Sequence, residues 1–171
     1  MLLRIIILIA TFINHSNVYA NPAPINLELD KATLQDIKNS YRILSQKNPI
    51  FGGKEYFLDT ESIEIQGLKE VSVICDENEI VQGVQLILNK DKFNDIYQSL
   101  AKKYKLNNET IPAVGNKIAT FVDGDCQITV TAQHMSFNMY VFYLTNAMAQ
   151  KISSTYDKED EKKKAKEEQA L

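Results

Sequence analysis

Cysteine and histidine are scarce in this chain and tryptophan is absent: 171 residues include two Cys, two His and no Trp. Zinc fingers and haem-attachment sites need several such ligands at close spacing, so neither can be built here. Two cysteines are also too few for a disulfide-dense miniprotein. A surplus of positive charge is missing as well. Nineteen Lys and Arg stand against 22 Asp and Glu, a formal net charge of −3, which argues against nucleic acid as a main partner because phosphate binding draws on clustered cations. Beyond the first twenty residues, no run approaches the roughly 18 apolar residues of a spanning helix. The mature chain is therefore expected to be soluble, with no transmembrane segment. What is present, 44% hydrophobic residues over this length, suits one packed domain.

The first twenty residues read as an export leader. Arg4 supplies a small positive start, Ile5 to Ile13 form an apolar run broken only by Thr11, and Val18-Tyr19-Ala20 puts small residues at the −3 and −1 positions of a cleavage site. The apolar run makes about 13 Å of helix against a hydrocarbon core of about 30 Å, too short for an anchor. Cleavage after Ala20 would release a periplasmic or secreted protein. Three parts follow: a cleaved signal peptide over 1–20, a single α+β domain over 21–156, and a charged exposed tail over 157–171.

Export decides how the cysteines read. In an oxidising compartment an even set is expected to pair, so Cys75 and Cys126 are assigned a disulfide. It would close a loop of about 51 residues, worth about 4 kcal/mol in the chain-entropy model. Neither cysteine belongs to a Cys-x-x-Cys redox pair.

The spacing predicts helix and hairpin, twice, then a strand and a last helix. Thr33-x-x-Asp36 resembles a capping box, and Leu34, Ile37, Tyr41 and Leu44 mark one helical face that ends at Asn48-Pro49. Short strands are expected at Glu55 to Leu58 and at Ile63 to Ile65. A hairpin joins Glu70–Cys75 to Glu79–Leu88 through Asp76-Glu77-Asn78. In it Val71, Val73 and Cys75 share a face with Ile80, Val84 and Leu86, which Gln82 interrupts. Phe93, Ile96, Tyr97, Leu100 and Tyr104 form the apolar stripe of a second helix. A second hairpin, Lys117 to Gln133, turns at Asp123-Gly124 and sets Phe121 opposite Cys126 and Ala119 opposite Ile128. Its other side, with Gln127, Thr129, Thr131 and Gln133, is polar, as in a sheet with one wet face. Phe137 to Leu144 is apolar on both sides, which suits a central strand.

Asp36-Ile37-x-x-Ser40 in the first helix recurs as Asp95-Ile96-x-x-Ser99 in the second, and each helix precedes a hairpin. The fold expected is α+β: a mostly antiparallel sheet, two helices on one face, a duplicated α-β-β unit and an exposed C-terminal helix. From about residue 31 to 144 this topology is similar to secreted domains of the beta-lactamase inhibitor protein type, which implies helices packed on one face of an antiparallel sheet. No shared motif carries the likeness, and fold analogy does not transfer function. In the tail, Glu159-Lys163, Asp160-Lys164, Lys163-Glu167 and Lys164-Glu168 stand at i, i+4, worth a few tenths of a kcal/mol per pair.

Chemistry-bearing patterns are few. Once the leader leaves with His15, His134 is the sole imidazole, and it lies in a turn with no Gly-x-Ser-x-Gly nucleophile elbow anywhere. Asp123 and Asp125, and Asp76, Glu77 and Glu79, sit at hairpin tips without EF-hand spacing, which fits turn geometry rather than calcium. Gly52-Gly53-Lys54 lacks the rest of a phosphate loop and precedes a strand. Asn108-Glu109-Thr110 fits a glycosylation acceptor. No cofactor, metal site or catalytic set is assigned. The expected function is an exported, non-catalytic binding or accessory protein that meets an envelope or extracellular protein, or a small ligand. Its contact surface is Gln127, Thr129, Thr131, Gln133, the His134 turn and Tyr140. Two alternatives are a small secreted hydrolase using two carboxylates about 5–9 Å apart, and a structural envelope subunit that adds Phe137–Leu144 to a neighbour's sheet.

Overall fold

The structure is a computed structural model that describes residues 20–170. The expected leader, apart from Ala20, lies outside the described residues. The fold begins at the capping box: the Thr33 hydroxyl accepts from the Asp36 N–H, and the Asp36 carboxylate accepts from the Thr33 N–H at 2.8 Å. Helix α1 (Leu34–Ser40) is only two turns long, because Tyr41 takes an extended backbone and its hydroxyl donates to the Ile25 carbonyl at 2.5 Å. Leu44 therefore does not join the helical face expected of it. It lies in strand β1 (Ile43–Lys47), whose backbone pairs with β2 (Lys54–Leu58), hydrogen bonds that a longer helix would forgo.

Ile63 to Ile65 forms no strand. Its amides bond locally, Ile63 to the Thr60 carbonyl and Ile65 to the Ile63 carbonyl, while both isoleucines still pack on the core. Strands β3 (Leu68–Cys75) and β4 (Val81–Asn89) make the expected hairpin with a different register. Val71 pairs with Leu86, Val73 with Val84 and Cys75 with Val81. Two residues of β4 oppose one of β3 at Gln82, a bulge that resets the alternation. Val81, rather than Ile80, consequently reaches the core.

Helix α2 (Phe93–Lys103) follows the predicted stripe. Next comes a strand that the sequence did not announce, β5 (Lys105–Thr110), exposed along its whole length. Strands β6 (Lys117–Asp123) and β7 (Cys126–Ala132) then form the second hairpin. Its loop is Gly124-Asp125, not Asp123-Gly124: Asp123 pairs with Cys126, Phe121 with Ile128 and Ala119 with Val130. Gly124 has φ +54, suiting a two-residue loop whose first position requires glycine. The inward face survives this shift because both strands keep their parity. Strand β8 (Asn138–Thr145) and helix α3 (Asn146–Ala170) complete the described chain.

All eight strands form one antiparallel sheet in the order β1-β2-β3-β4-β8-β7-β6-β5. Each of α1 and α2 is followed by four strands rather than by the two of the expected α-β-β unit, because β1, β2, β5 and β8 pair into the same sheet, and β4 and β8 meet at the centre. One face packs Leu34 and Ile37 of α1, Phe93 and Leu100 of α2, and Tyr104 just past its end, against Val73, Val84, Phe121, Ile128 and Val141. Pro22, Pro24, Leu27 and Leu29 of the preceding segment are buried too. β8 has β4 on one side and β7 on the other, so it has no free edge to add to a neighbour's sheet. Phe137, expected inside, lies one residue before β8 and is 90% exposed.

Cys75 and Cys126 are both buried and unbonded, contrary to the disulfide expected. The sheet order explains it. β4 and β8 stand between their strands, and three interstrand steps separate the two backbones by about 14 Å, twice what a disulfide spans. In the tail, the ion pairs are Glu159–Lys162 and Asp160–Lys163, at i, i+3 rather than the expected i, i+4. Among the described residues no helix is long and apolar enough to cross a membrane.

Candidate functional site

Strand alternation gives the sheet a second face, away from α1 and α2, and register arranges it in three rows across the strands. The first runs Glu55, Ile74, Gly83, Leu144, Gln127, Val122. The second runs Phe57, Ser72, Gln85, Phe142, Thr129, Thr120. The third runs Glu70, Ile87, Tyr140, Thr131, Ile118. Helix α3 covers part of the first row: Met148 and Ile152 pack with Phe51 on Ile74 and Leu144. The second row is overhung by α3 at Gln85 and Phe142, across a cavity; the rest of it, apart from buried Ser72, and the third row stay open and half-buried at their centre. Tyr140 and Phe142 stack there, 6.2 Å between ring centroids and 8° from parallel.

The register therefore brings Gln127, Thr129, Thr131 and Tyr140 together on one open surface, as neighbours on β7 and β8. None of them is buried under α1 or α2, which pack on the opposite side. Gln133 and His134 sit apart, at the rim. The His134 N–H donates to the Asn116 side chain at 2.8 Å, and the Lys90 ammonium donates to the carbonyls of Gln133 and His134. These bonds use the turn's backbone.

Sequence reading missed the polar centre of this face. Glu55 is buried at 5% exposure, its carboxylate accepting from the Ser72 hydroxyl at 2.6 Å and pairing with Lys47 at 2.9 Å. The Lys47 ammonium also lies 4.9 Å from the centre of the Phe57 ring. Strand alternation could have placed Glu55 and Phe57 on the same face of β2, but only the pairing of β2 with β3 shows that Ser72 meets them. Beside this group, a cavity of about 440 Å³ opens between the sheet and α3, lined by Ile50, Phe51, Glu55, Gln85, Phe142 and Ile152. A smaller cleft of about 200 Å³ continues past Phe57, Ser72 and Ile87, with Glu55 and Glu70 both on its wall. Both Glu55 oxygens are already engaged and Glu70 is exposed, so the cleft holds no facing pair of free carboxylates.

Titration follows burial elsewhere. Desolvation pushes the Cys75 thiol up to about 12 and the Cys126 thiol up to about 11, with Asp76 and Asp123 adding to the effect. Such thiols are poor nucleophiles. Burial also raises Tyr143 well above the usual phenol range. Among the described residues, no three His, Cys, Asp or Glu side chains gather closely enough to hold a metal ion. The tip carboxylates serve their turns instead: Asp76 accepts from the amides of Asn78 and Ile80. No family model matches the chain, nor does any curated protein or solved structure.

Proposed function

We propose that the chain is an exported, non-catalytic binding or accessory protein that meets a protein partner across the open face of its sheet. The observation that carries this reading is the open part of the β4, β8 and β7 face, where Tyr140 stacks on Phe142 beside Thr129 and Thr131. Aromatic side chains with adaptable polar neighbours are the composition of interface centres. Export rests on the pattern of Arg4, the apolar run and Val18-Tyr19-Ala20. The protein would then act in the periplasm or outside the cell.

Duplication of one ancestral unit is part of the proposal. Asp36-Ile37-x-x-Ser40 and Asp95-Ile96-x-x-Ser99 occupy α1 and α2, and each helix leads into four antiparallel strands. The likeness to the beta-lactamase inhibitor protein type of topology is kept as an analogy of fold alone.

The test is affinity capture from envelope extract with residues 21–171, repeated with Thr129→Arg and Thr131→Arg. A stoichiometric partner retained by the parent and lost with both variants, at unchanged circular dichroism, is the expected result. Capture that ignores both substitutions would remove the open face from the function. The cavity under α3 favours a second reading, a small apolar ligand seated against Phe51, Phe142 and Ile152. Its volume lies within the usual range of ligand pockets. Native mass spectrometry of protein recovered from its source would show the added mass.

A further inference from the structure

One end of the sheet carries apolar side chains that fold onto nothing. Val114 is 75% exposed, Met135 89% and Phe137 90%. They belong to two adjacent loop tips, 111–116 between β5 and β6 and 133–137 between β7 and β8. Lys117 and Ala132 pair at the base of these loops, and Asn116 accepts from the His134 N–H. Ile111 and Ile118 are partly exposed beside them.

Amines surround these tips. Lys90 bonds through its ammonium to the carbonyls of Gln133 and His134, and its own N–H donates to the Phe137 carbonyl. The Lys69 ammonium donates to the Asn138 side chain at the start of β8. Lys117 reaches over the Phe93 ring at 5.2 Å, lining with Lys90 and Phe137 a depression of about 570 Å³. Asp91 is the one acidic residue on its wall. Among the described residues, Lys69, Lys90 and Lys117 make no ion pair with a carboxylate. Their partners are neutral carbonyls, an amide and a ring face, so none of the three ammonium groups is held in a direct ion pair.

We infer that this end docks on an anionic lipid bilayer, with Phe137, Met135 and Val114 entering the headgroup boundary and the three lysines at the level of the phosphates. A protein partner would need a separate pocket for each protruding side chain. A bilayer accepts apolar tips of any arrangement, provided that cations ring them. The tips adjoin the open face only at Ile118, and the site does not depend on export, so the two proposals stand or fall separately.

The absence of tryptophan supplies the test. In the full chain, Phe137→Trp is a single reporter of the tip, while Tyr156→Trp reports from α3, in the wall of the cavity beside Gln85 and Phe142. With phosphatidylglycerol vesicles at low ionic strength, the Phe137→Trp emission should shift to the blue and be quenched by brominated lipid, with Tyr156→Trp unchanged. Phosphatidylcholine vesicles should produce neither effect. Lys69→Gln and Lys117→Gln should each weaken partitioning about fivefold, and Phe137→Ser with Met135→Ser by about tenfold or more. An unshifted Phe137→Trp overturns the inference. So do equal shifts at both reporters, indifference to the lysine substitutions, or a soluble protein partner that shields Phe137→Trp in the absence of lipid binding.

Discussion

The Thr145 hydroxyl donates to the side-chain carbonyl of Gln82 at 2.9 Å, and the same oxygen accepts from the Met148 N–H at 3.2 Å. Gln82 in turn donates to Asp30 at 3.0 Å. One buried hydroxyl thus caps α3 and satisfies the residue that the β4 bulge turns inward, tying the N-terminal segment, the centre of the sheet and the last helix together.

Thr145→Val should cost about 2–3 kcal/mol, because it removes a helix cap and strands the Gln82 carbonyl in the interior. Thr145→Ser keeps the oxygen and should recover most of that loss. Urea unfolding of both variants decides it; a Thr145→Val midpoint equal to the parent's would show that the hydroxyl does nothing for stability.

The thiols predict an alkaline limb to stability. Below about pH 8 both are protonated, folded or unfolded, and contribute a constant amount. As pH rises past the unfolded value, the unfolded chain releases protons that Cys75 and Cys126 hold until about 12 and 11 in the fold, so stability falls with rising pH. Tyr143 acts in the same direction above about pH 10. Urea midpoints at pH 7 and pH 10.5 should differ, and less so in Cys75→Val with Cys126→Val. Thiol titration of the native protein should find both groups unreactive until unfolding, and recovery of a Cys75–Cys126 bridge would refute the sheet order.

Gly53→Ala should be severely destabilising. The residue has φ +73, and a Cβ would stand 2.2 Å from the Cys75 carbonyl oxygen, a backbone atom fixed by the β2–β3 pairing. The expected loss is about 3 kcal/mol or more, read by thermal unfolding. A melting temperature within a degree of the parent's would contradict this turn.

Ending the chain at Tyr156 should leave thermal stability nearly unchanged. Among the described residues beyond that point, the helix carries exposed ion pairs, Glu159–Lys162 and Asp160–Lys163, and a long Ser153–Asp157 bond at 3.4 Å, and none of them joins either apolar cluster. A loss above about 1 kcal/mol would mean that the distal helix packs on the body.

Local chemistry was legible where neighbours in sequence are neighbours in space. The capping box at Thr33 and Asp36, the α2 stripe and the inward parity of β7 all follow from spacing of a few residues. Leu44 and β5 were not legible, because a short exposed edge strand has no burial pattern and exists only through its partner. The Glu55, Ser72 and Lys47 group escaped for the same reason: three strands contribute one residue each.

By itself the sequence determined the class of the protein: an α+β chain poor in cysteine and histidine, with an apolar start, a charged end and strands whose alternation leaves one face wet. Only the tertiary structure decided what those strands sit beside. Sheet order separates Cys75 from Cys126, encloses β8 between β4 and β7, and gathers Thr129, Thr131 and Tyr140 on one face. The physical reason is that side-chain parity is encoded locally by the backbone's two-residue period, whereas strand neighbours are chosen by packing the whole core at once.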